Sequence, residues 1–195
     1  MKLNKLQKKI GISFKDDKLL VQALTHKSFD TKNNYEKLEF LGDRVLGFVI
    51  SKKLLELYPN EKVGMIDKKL ANLVNKNKCF EIGKELELDN YILTGNTEKK
   101  KKVNIEKKII SDCCESLIGA IYIDKGFEVS SKFILKYWKN YLNLSDITVI
   151  DSKTRLQEYS LKKFKALPIY KLISNTGPRH KPNFKISVKI KDSKT

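Results

Sequence analysis

Residues 36–46 read EKLEFLGDRVL, and this stretch decides the fold. At about 100° per residue, Glu36, Glu39 and Asp43 fall within about 60° of one another on a helix, and Gly47 continues their stripe one turn on. The rest of the circumference carries Leu38, Phe40, Leu41, Val45, Phe48 and Val49. A helix apolar on most faces is expected to be buried. It ends at Tyr58-Pro59, because proline disfavours helix at the residue before it. Three acids on one face of a buried helix are costly unless something compensates them.

Residues 109–120, IISDCCESLIGA, repeat the theme. Asp112 and Glu115 share a helix face, Gly119 continues it and Ser116 lies beside it. Small residues there let another helix approach closely, which would set the two acidic faces against each other. Carboxylates roughly 5 Å apart repel by roughly 3 kcal/mol per pair at an effective dielectric of 20. Protons or divalent cations must supply the compensation. All-oxygen ligands suit Mg²⁺ or Mn²⁺ rather than zinc. Two such ions can activate water and stabilise a leaving oxygen in phosphodiester hydrolysis. The plain alternative is that these acids pair with lysines on solvated helix faces. A ferritin-like carboxylate bundle fits poorly, since it wants Glu-x-x-His pairs, whereas Glu36 is followed by Glu39 and Glu115 by Ile118.

Working outward, residues 1–144 read as all helical. Leu3, Leu6 and Ile10 keep a helical period, and Asp16 or Asp17 starts a second helix carrying Leu20, Ala23 and Leu24. The polar loop THKSFDTKNN follows at 25–34. Ile66, Leu70, Leu73 and Val74 mark another helix. Residues 94–104, with Gly95 and a lysine run at 99–102, read as an exposed loop. A strongly apolar helix runs over about 105–124, with Gly126 as its stop. Phe133, Ile134, Tyr137, Trp138 and Tyr141 mark one more. The pattern then changes: 145–153 is a linker, 154–164 a helix, and 168–174 a strand. Over 183–190, Phe184, Ile186, Val188 and Ile190 alternate as in a half-buried strand.

Composition sets bounds on function. An apolar content of 41% over 195 residues supports a real core. The N-terminus lacks the apolar stretch of a secretory signal, and no run approaches the roughly 18 apolar residues of a membrane span. Three cysteines, two of them adjacent, make no disulfide framework, and two histidines make no zinc set. A cytoplasmic protein without a membrane or small-molecule cofactor is the expectation. The net charge of +17 attracts polyanions, nucleic acid first. Its lysine-rich, asparagine- and isoleucine-rich make-up also fits a nucleotide-biased genome.

The stretch at 36–46 closely resembles the signature of the ribonuclease III family. SDCCESLIGAIYID at 111–124 resembles the family's second acidic segment, and ALTHKSF at 23–29 a third family stretch. DSKTRLQEY at 151–159 resembles the opening of the double-stranded-RNA-binding domain of bacterial members. The four stretches come in the family's order. The resemblance implies an all-α catalytic domain at 1–144 that works as a homodimer, a linker at 145–153, and a partial α+β double-stranded-RNA-binding domain at 154–195 lacking its last strand and helix. It implies that Glu39, Asp43, Asp112 and Glu115 hold catalytic Mg²⁺, with Mn²⁺ possible as a substitute, that Asp43 and Glu115 are catalytic, and that Glu36 supports them. Phe40 would sit at the dimer contact, although periodicity alone makes it an ordinary core aromatic. His26 and Ser28 would brace loops.

The implied reaction is hydrolysis of duplex RNA, ribosomal RNA precursors among the substrates, to 5′-phosphate and 3′-hydroxyl ends with short 3′ overhangs. Proteins read duplex RNA by shape, 2′-hydroxyls and phosphates. Thr154, Gln157 and Glu158 resemble the family's first minor-groove contacts, and Gly177, Pro178, Arg179 and His180 the loop that enters the next groove. Without the last strand and helix the tail is expected to bind RNA weakly. The sequence departs from the family at Val63, where many members carry Glu, leaving Glu61 two residues earlier. It departs again at Arg44, which replaces a small residue and either contacts phosphate or points to solvent. The rival function is a non-catalytic RNA-binding or ribosome-associated protein of the same fold. Such a protein is expected to lose the acids, and all four are here.

Overall fold

A computed structural model describes residues 2–95, 105–144, 152–177 and 183–191. The chain divides into two units, Met1–Ile147 and Thr148–Thr195. The first contains α1 (Lys2–Ile10), α2 (Asp17–Ala23), α3 (Glu36–Leu57), α4 (Val63–Leu73) and α5 (Lys76–Glu85). A 3₁₀ turn at Leu88–Asn90 comes next, then α6 (Lys107–Lys125) and α7 (Phe127–Leu144). The second holds α8 (Ser152–Phe164), β1 (Ile169–Thr176) and β2 (Asn183–Lys189).

The helix ends follow from capping chemistry. The Asp16 carboxylate accepts from the Lys18 amide and starts α2. Asn34 Oδ1 accepts from the Glu36 amide, and Glu36 and Glu39 place negative charge in the first turn of α3, where the helix dipole favours it. The Asn75 side chain caps α5 through the Lys78 amide. The last turn of α6 closes on Gly126, whose φ of 80° suits a residue without a Cβ.

The apolar pattern sets the packing. In α6 every residue from Ile110 to Ile121 is buried, so it is the central helix, packed by α2, α3, α5 and α7. Trp138 of α7 is fully buried and donates its indole N–H to the Leu73 carbonyl at 2.8 Å. The approach of α3 to α6 is close enough that a Cβ on Gly42 would collide with the Glu115 carbonyl oxygen, and one on Gly119 with that of Leu38. The expected close approach through small residues is therefore present. Ser116 serves a different neighbour, donating its hydroxyl to the Ala23 carbonyl of α2.

Three expectations need correction. Helix α3 is not buried all round: Phe40 and Phe48 are 63% and 61% exposed, because α6 and the helices beside it cover only part of its circumference. That also removes Phe40 from the core. Helix α5 lies where the sequence reading expected no element, since its lysines mask a short apolar stripe of Cys79, Ile82 and Gly83. Strand β2 is exposed along its whole length rather than half-buried.

In the second unit β1 and β2 pair antiparallel, from Ile169 opposite Lys189 to Thr176 opposite Asn183, with an irregularity between Leu172 and Ser174. Ser160 of α8 is buried and donates to the Ala166 carbonyl at 2.6 Å. Helix α8 begins at Ser152, two residues inside the expected linker, and residues 145–151 of that linker lie outside the described residues. So do residues 96–104, most of the expected basic loop.

Candidate metal centre

Two helices supply the acids and a third supplies the counter-charge. Glu39 projects from α3, while Asp112 and Glu115 project from adjacent turns of α6. One carboxylate oxygen of each lies within 4.8 Å of the others. The Asp112 and Glu115 side chains are only 1% and 3% exposed. At that spacing each like-charged pair repels by roughly 3 kcal/mol at an effective dielectric of 20. The Lys76 ammonium, at the start of α5, answers that repulsion. It lies 2.9 Å from Glu39 Oε1, 2.7 Å from Asp112 Oδ1 and 2.7 Å from Glu115 Oε2. Lys108 holds the other Asp112 oxygen at 3.1 Å.

Protonation follows from this competition. Burial pushes Asp112 up, but hydrogen bonds from Lys76 and Lys108 outweigh it and hold the carboxyl below its usual range. Burial also pushes Glu115 up, and there Lys76 offsets only part of the effect, so Glu115 stays above its usual value. Asp112 has two ammonium groups against its burial, whereas Glu115 has one, and the Asp43 charge adds to the burial that raises it. Tyr35 is buried at the entry to α3 and donates its hydroxyl to Asp112 Oδ2 at 3.4 Å. Burial, and then the Asp112 charge, keep that phenol protonated. Burial first, with Asp112 beside it, pushes the Cys113 thiol well up, so it stays a thiol rather than a soft ligand.

The other expected residues lie around this triangle. Asp43 sits one turn beyond Glu39, with its carboxylate 2.9 Å from the Arg44 guanidinium. Its charge reaches Glu115, but it stands outside the tight group. The Arg44 side chain is 57% exposed, and its guanidinium also stacks 3.8 Å from the Phe40 ring centroid. Glu36 is half exposed and pairs with Lys27 at 3.1 Å. His26 and Ser28 brace the loop, joined at 2.8 Å, and the Gly95 amide donates to Ser28 Oγ. Val63 is 83% exposed at the start of α4, and Glu61 accepts from the Lys62 amide.

In the second unit Gln157 and Glu158 lie on α8, half-buried and exposed respectively. Gly177, with φ of 95°, turns the chain out of β1. Pro178, Arg179, His180 and the Thr154 side chain lie outside the described residues. Sequence reasoning missed Lys76, Lys108 and Tyr35. One signal was available for Lys76: the first turn of α5 carries Lys76 and Lys78 and no acid, against the helix dipole. Such a pair points to negative charge supplied from elsewhere in the fold.

The donor set fits a hard divalent cation. It consists of carboxylate oxygens only, and the Lys76 ammonium stands where such a cation would lie. A helical unit with a carboxylate triangle able to hold a metal ion, followed by a separate helix-and-hairpin unit, is the arrangement that a family assignment has to account for.

Comparison with known proteins makes the class specific. Residues 16–142 match the Ribonuclease-III-like family, and residues 152–195 match the Double-stranded RNA binding motif. The chain is 62% identical to Ribonuclease 3 of Pelagibacter ubique over 196 residues, covering 100% of this chain and 88% of that one. It is 40% identical to Ribonuclease 3 of Agrobacterium fabrum, covering 96% and 80%. The nuclease domain of ribonuclease III from Campylobacter jejuni superimposes with a TM-score of 0.65 at 35% identity, over 71% of this chain and 97% of that domain. The chain belongs to the ribonuclease III family, the endoribonucleases of double-stranded RNA.

Proposed function

We propose that this chain cuts both strands of duplex RNA with Mg²⁺, or Mn²⁺ in its place, held by Glu39, Asp112 and Glu115. Asp43 would join as fourth ligand by rotating away from Arg44. The observation that carries this reading is the triangle itself: three carboxylates on two locked helices, already gathered around one cation. When bound, the metal supplies a polarised phosphate and an activated water. The residues of the chain do the rest. Asp112 is held ionised by its lysines and fixed by the Tyr35 hydroxyl. Glu115, 3% exposed beside Asp112 on the same helix, would serve as the second buried carboxylate ligand of the ion. Glu36 supports the site from the same face of α3.

RNA would be gripped by Thr154, Gln157 and Glu158 on α8 and by Gly177, Pro178, Arg179 and His180 after β1. The products would be 5′-phosphate and 3′-hydroxyl ends with short 3′ overhangs, and structured cytoplasmic RNAs, including ribosomal precursors, would be the substrates. Among the described residues no helix is long and apolar enough to cross a membrane. Two sites, one per protomer, would come from a homodimer formed around Phe40. What supports this is its 63% exposure on α3 and the Campylobacter domain, described as having a region involved in dimer formation. Phe40→Asp is expected to weaken self-association by about 30-fold or more, read by analytical ultracentrifugation. An unchanged dimer would move the contact elsewhere.

The deciding assay incubates long duplex RNA with the protein and Mg²⁺, beside a chelator control and the Asp43→Asn and Glu115→Gln variants. Cleavage by wild type alone is expected. Equal cleavage by the variants would sink the assignment, and RNA binding without cleavage by wild type would favour the non-catalytic reading.

A further inference from the structure

Lys76 has a role that the cleavage chemistry does not account for. Its ammonium contacts three carboxylates at 2.7–2.9 Å, the length of charge-assisted hydrogen bonds. It uses one oxygen of each acid: Glu39 Oε1, Asp112 Oδ1 and Glu115 Oε2. Lys108 takes Asp112 Oδ2 and leaves that set untouched. A divalent ion bound to the triangle needs those same lone pairs at roughly 2.1 Å. An ammonium and a metal ion cannot share one such position.

We propose that Lys76 is a built-in counter-ion: it fills the cation position among Glu39, Asp112 and Glu115 when no divalent ion is bound, and it must swing out for the ion to enter. This rests on reading the triangle as the metal centre. Asp112 and Glu115 are held together by the pitch of α6, and the close packing of α3 on α6 at Gly42 and Gly119 brings Glu39, 25% exposed, up to them. Asp112 and Glu115 cannot turn to water, being 1% and 3% exposed. Some cation has to be there for the metal-free protein to fold with both acids ionised. Lys76 can supply it reversibly. Its side chain is 52% exposed, it is the first residue of α5, and its four-carbon stem can rotate without moving the helix. Its charge is secure: burial works against it, but hydrogen bonds to Asp112, Glu115 and Glu39 keep it well above the ordinary lysine value.

Two consequences follow. The metal-free fold is held together by Lys76, and the apparent affinity for divalent ions is reduced by the fraction of molecules in which Lys76 is home.

The test uses the full chain stripped of metal, comparing wild type with Lys76→Met by Mn²⁺ titration, with free Mn²⁺ read by electron paramagnetic resonance. Lys76→Met is expected to bind Mn²⁺ at least about tenfold tighter, to melt lower than wild type in chelator, and to gain more thermal stability from Mn²⁺. Equal or weaker Mn²⁺ binding by the variant, with wild type binding normally, overturns the counter-ion alone. Absence of Mn²⁺ binding by both overturns the metal-centre reading and the counter-ion with it. Should the variant fail to fold without metal, wild type decides. The side-chain ¹⁵N signal of the Lys76 ammonium is expected to be protected from water exchange in chelator and to lose that protection on saturation with Mg²⁺. A signal unmoved by Mg²⁺ overturns the proposal.

Discussion

In the helical unit the decisive charges are inside, whereas in the strand-containing unit the apolar side chains are outside. Asp112 and Glu115 lie within α6, which is buried without a break from Ile110 to Ile121. By contrast Ile169, Leu172, Ile173, Phe184 and Ile186 are each more than half exposed. Both departures from the usual partition carry a cost. In the helical unit the cost is met within the unit, by Lys76, Lys108 and Tyr35. In the second unit β1 and β2 hold each other by backbone bonds, while their side chains stay largely open. A polar site inside a core therefore demands a complete set of partners from the same unit.

That contrast can be broken or sharpened by measurement. The largest effect is expected from Glu115→Gln, which should lower duplex-RNA cleavage by about 10³-fold or more, as befits loss of several kcal/mol of charge stabilisation. Duplex binding through the second unit should change little in a filter-binding assay. A parallel loss of binding would show that the two units do not act separately. Next is Gly42→Ala, which sets a methyl against the Glu115 carbonyl. It should cost about 3 kcal/mol, lowering Tm by roughly 6–12 °C. An unchanged melt would contradict the close approach of α3 and α6.

The third prediction concerns pH in the metal-free protein. Asp112 has a lowered pKa in the folded state, so its contribution to stability is present above its unfolded value and is lost as pH falls through the folded one. Glu115 has a raised pKa, so folding disfavours its ionised form, and that penalty fades as pH falls through its folded value. Glu115→Gln should therefore stabilise the metal-free protein at neutral pH, and by less as pH drops below the ordinary carboxylate range. Calorimetry in chelator across that range checks it, and a gain that grows on acidification would reverse the assignment. The smallest effect is expected from Ile173→Thr. Ile173 is 57% exposed, and its loss should shift the melting of the helical unit by less than about 0.5 kcal/mol. A larger shift would tie this face to the core.

Much of this was legible in residue spacing. The Gly119 position, the start of α2 at Asp16 and the stop of α6 at Gly126 are local matters of helix period, capping and φ, whereas on α3 the spacing pointed to Gly47, which meets nothing within 4 Å, and the contact with α6 falls at Gly42 instead. Helix α5 was not, because its lysines outnumber its apolar residues and its burial depends on α6. Phe40 read as core from periodicity, yet its side chain is 63% exposed on α3. For β2 the alternation was right and the burial was not, since a period of two fixes which side chains share a face but not whether that face is covered.

The sequence by itself determined that Glu39 and Asp43 share one helix face and Asp112 and Glu115 another, since an α-helix has a fixed pitch. Tertiary structure alone decided which of them meet. Glu39, Asp112 and Glu115 converge on Lys76 across 37, 36 and 39 residues of chain, while Asp43 turns to its neighbour Arg44. No local period carries information over such separations. They are set by how closely α3, α5 and α6 pack, and by the need of a buried carboxylate cluster for a cation.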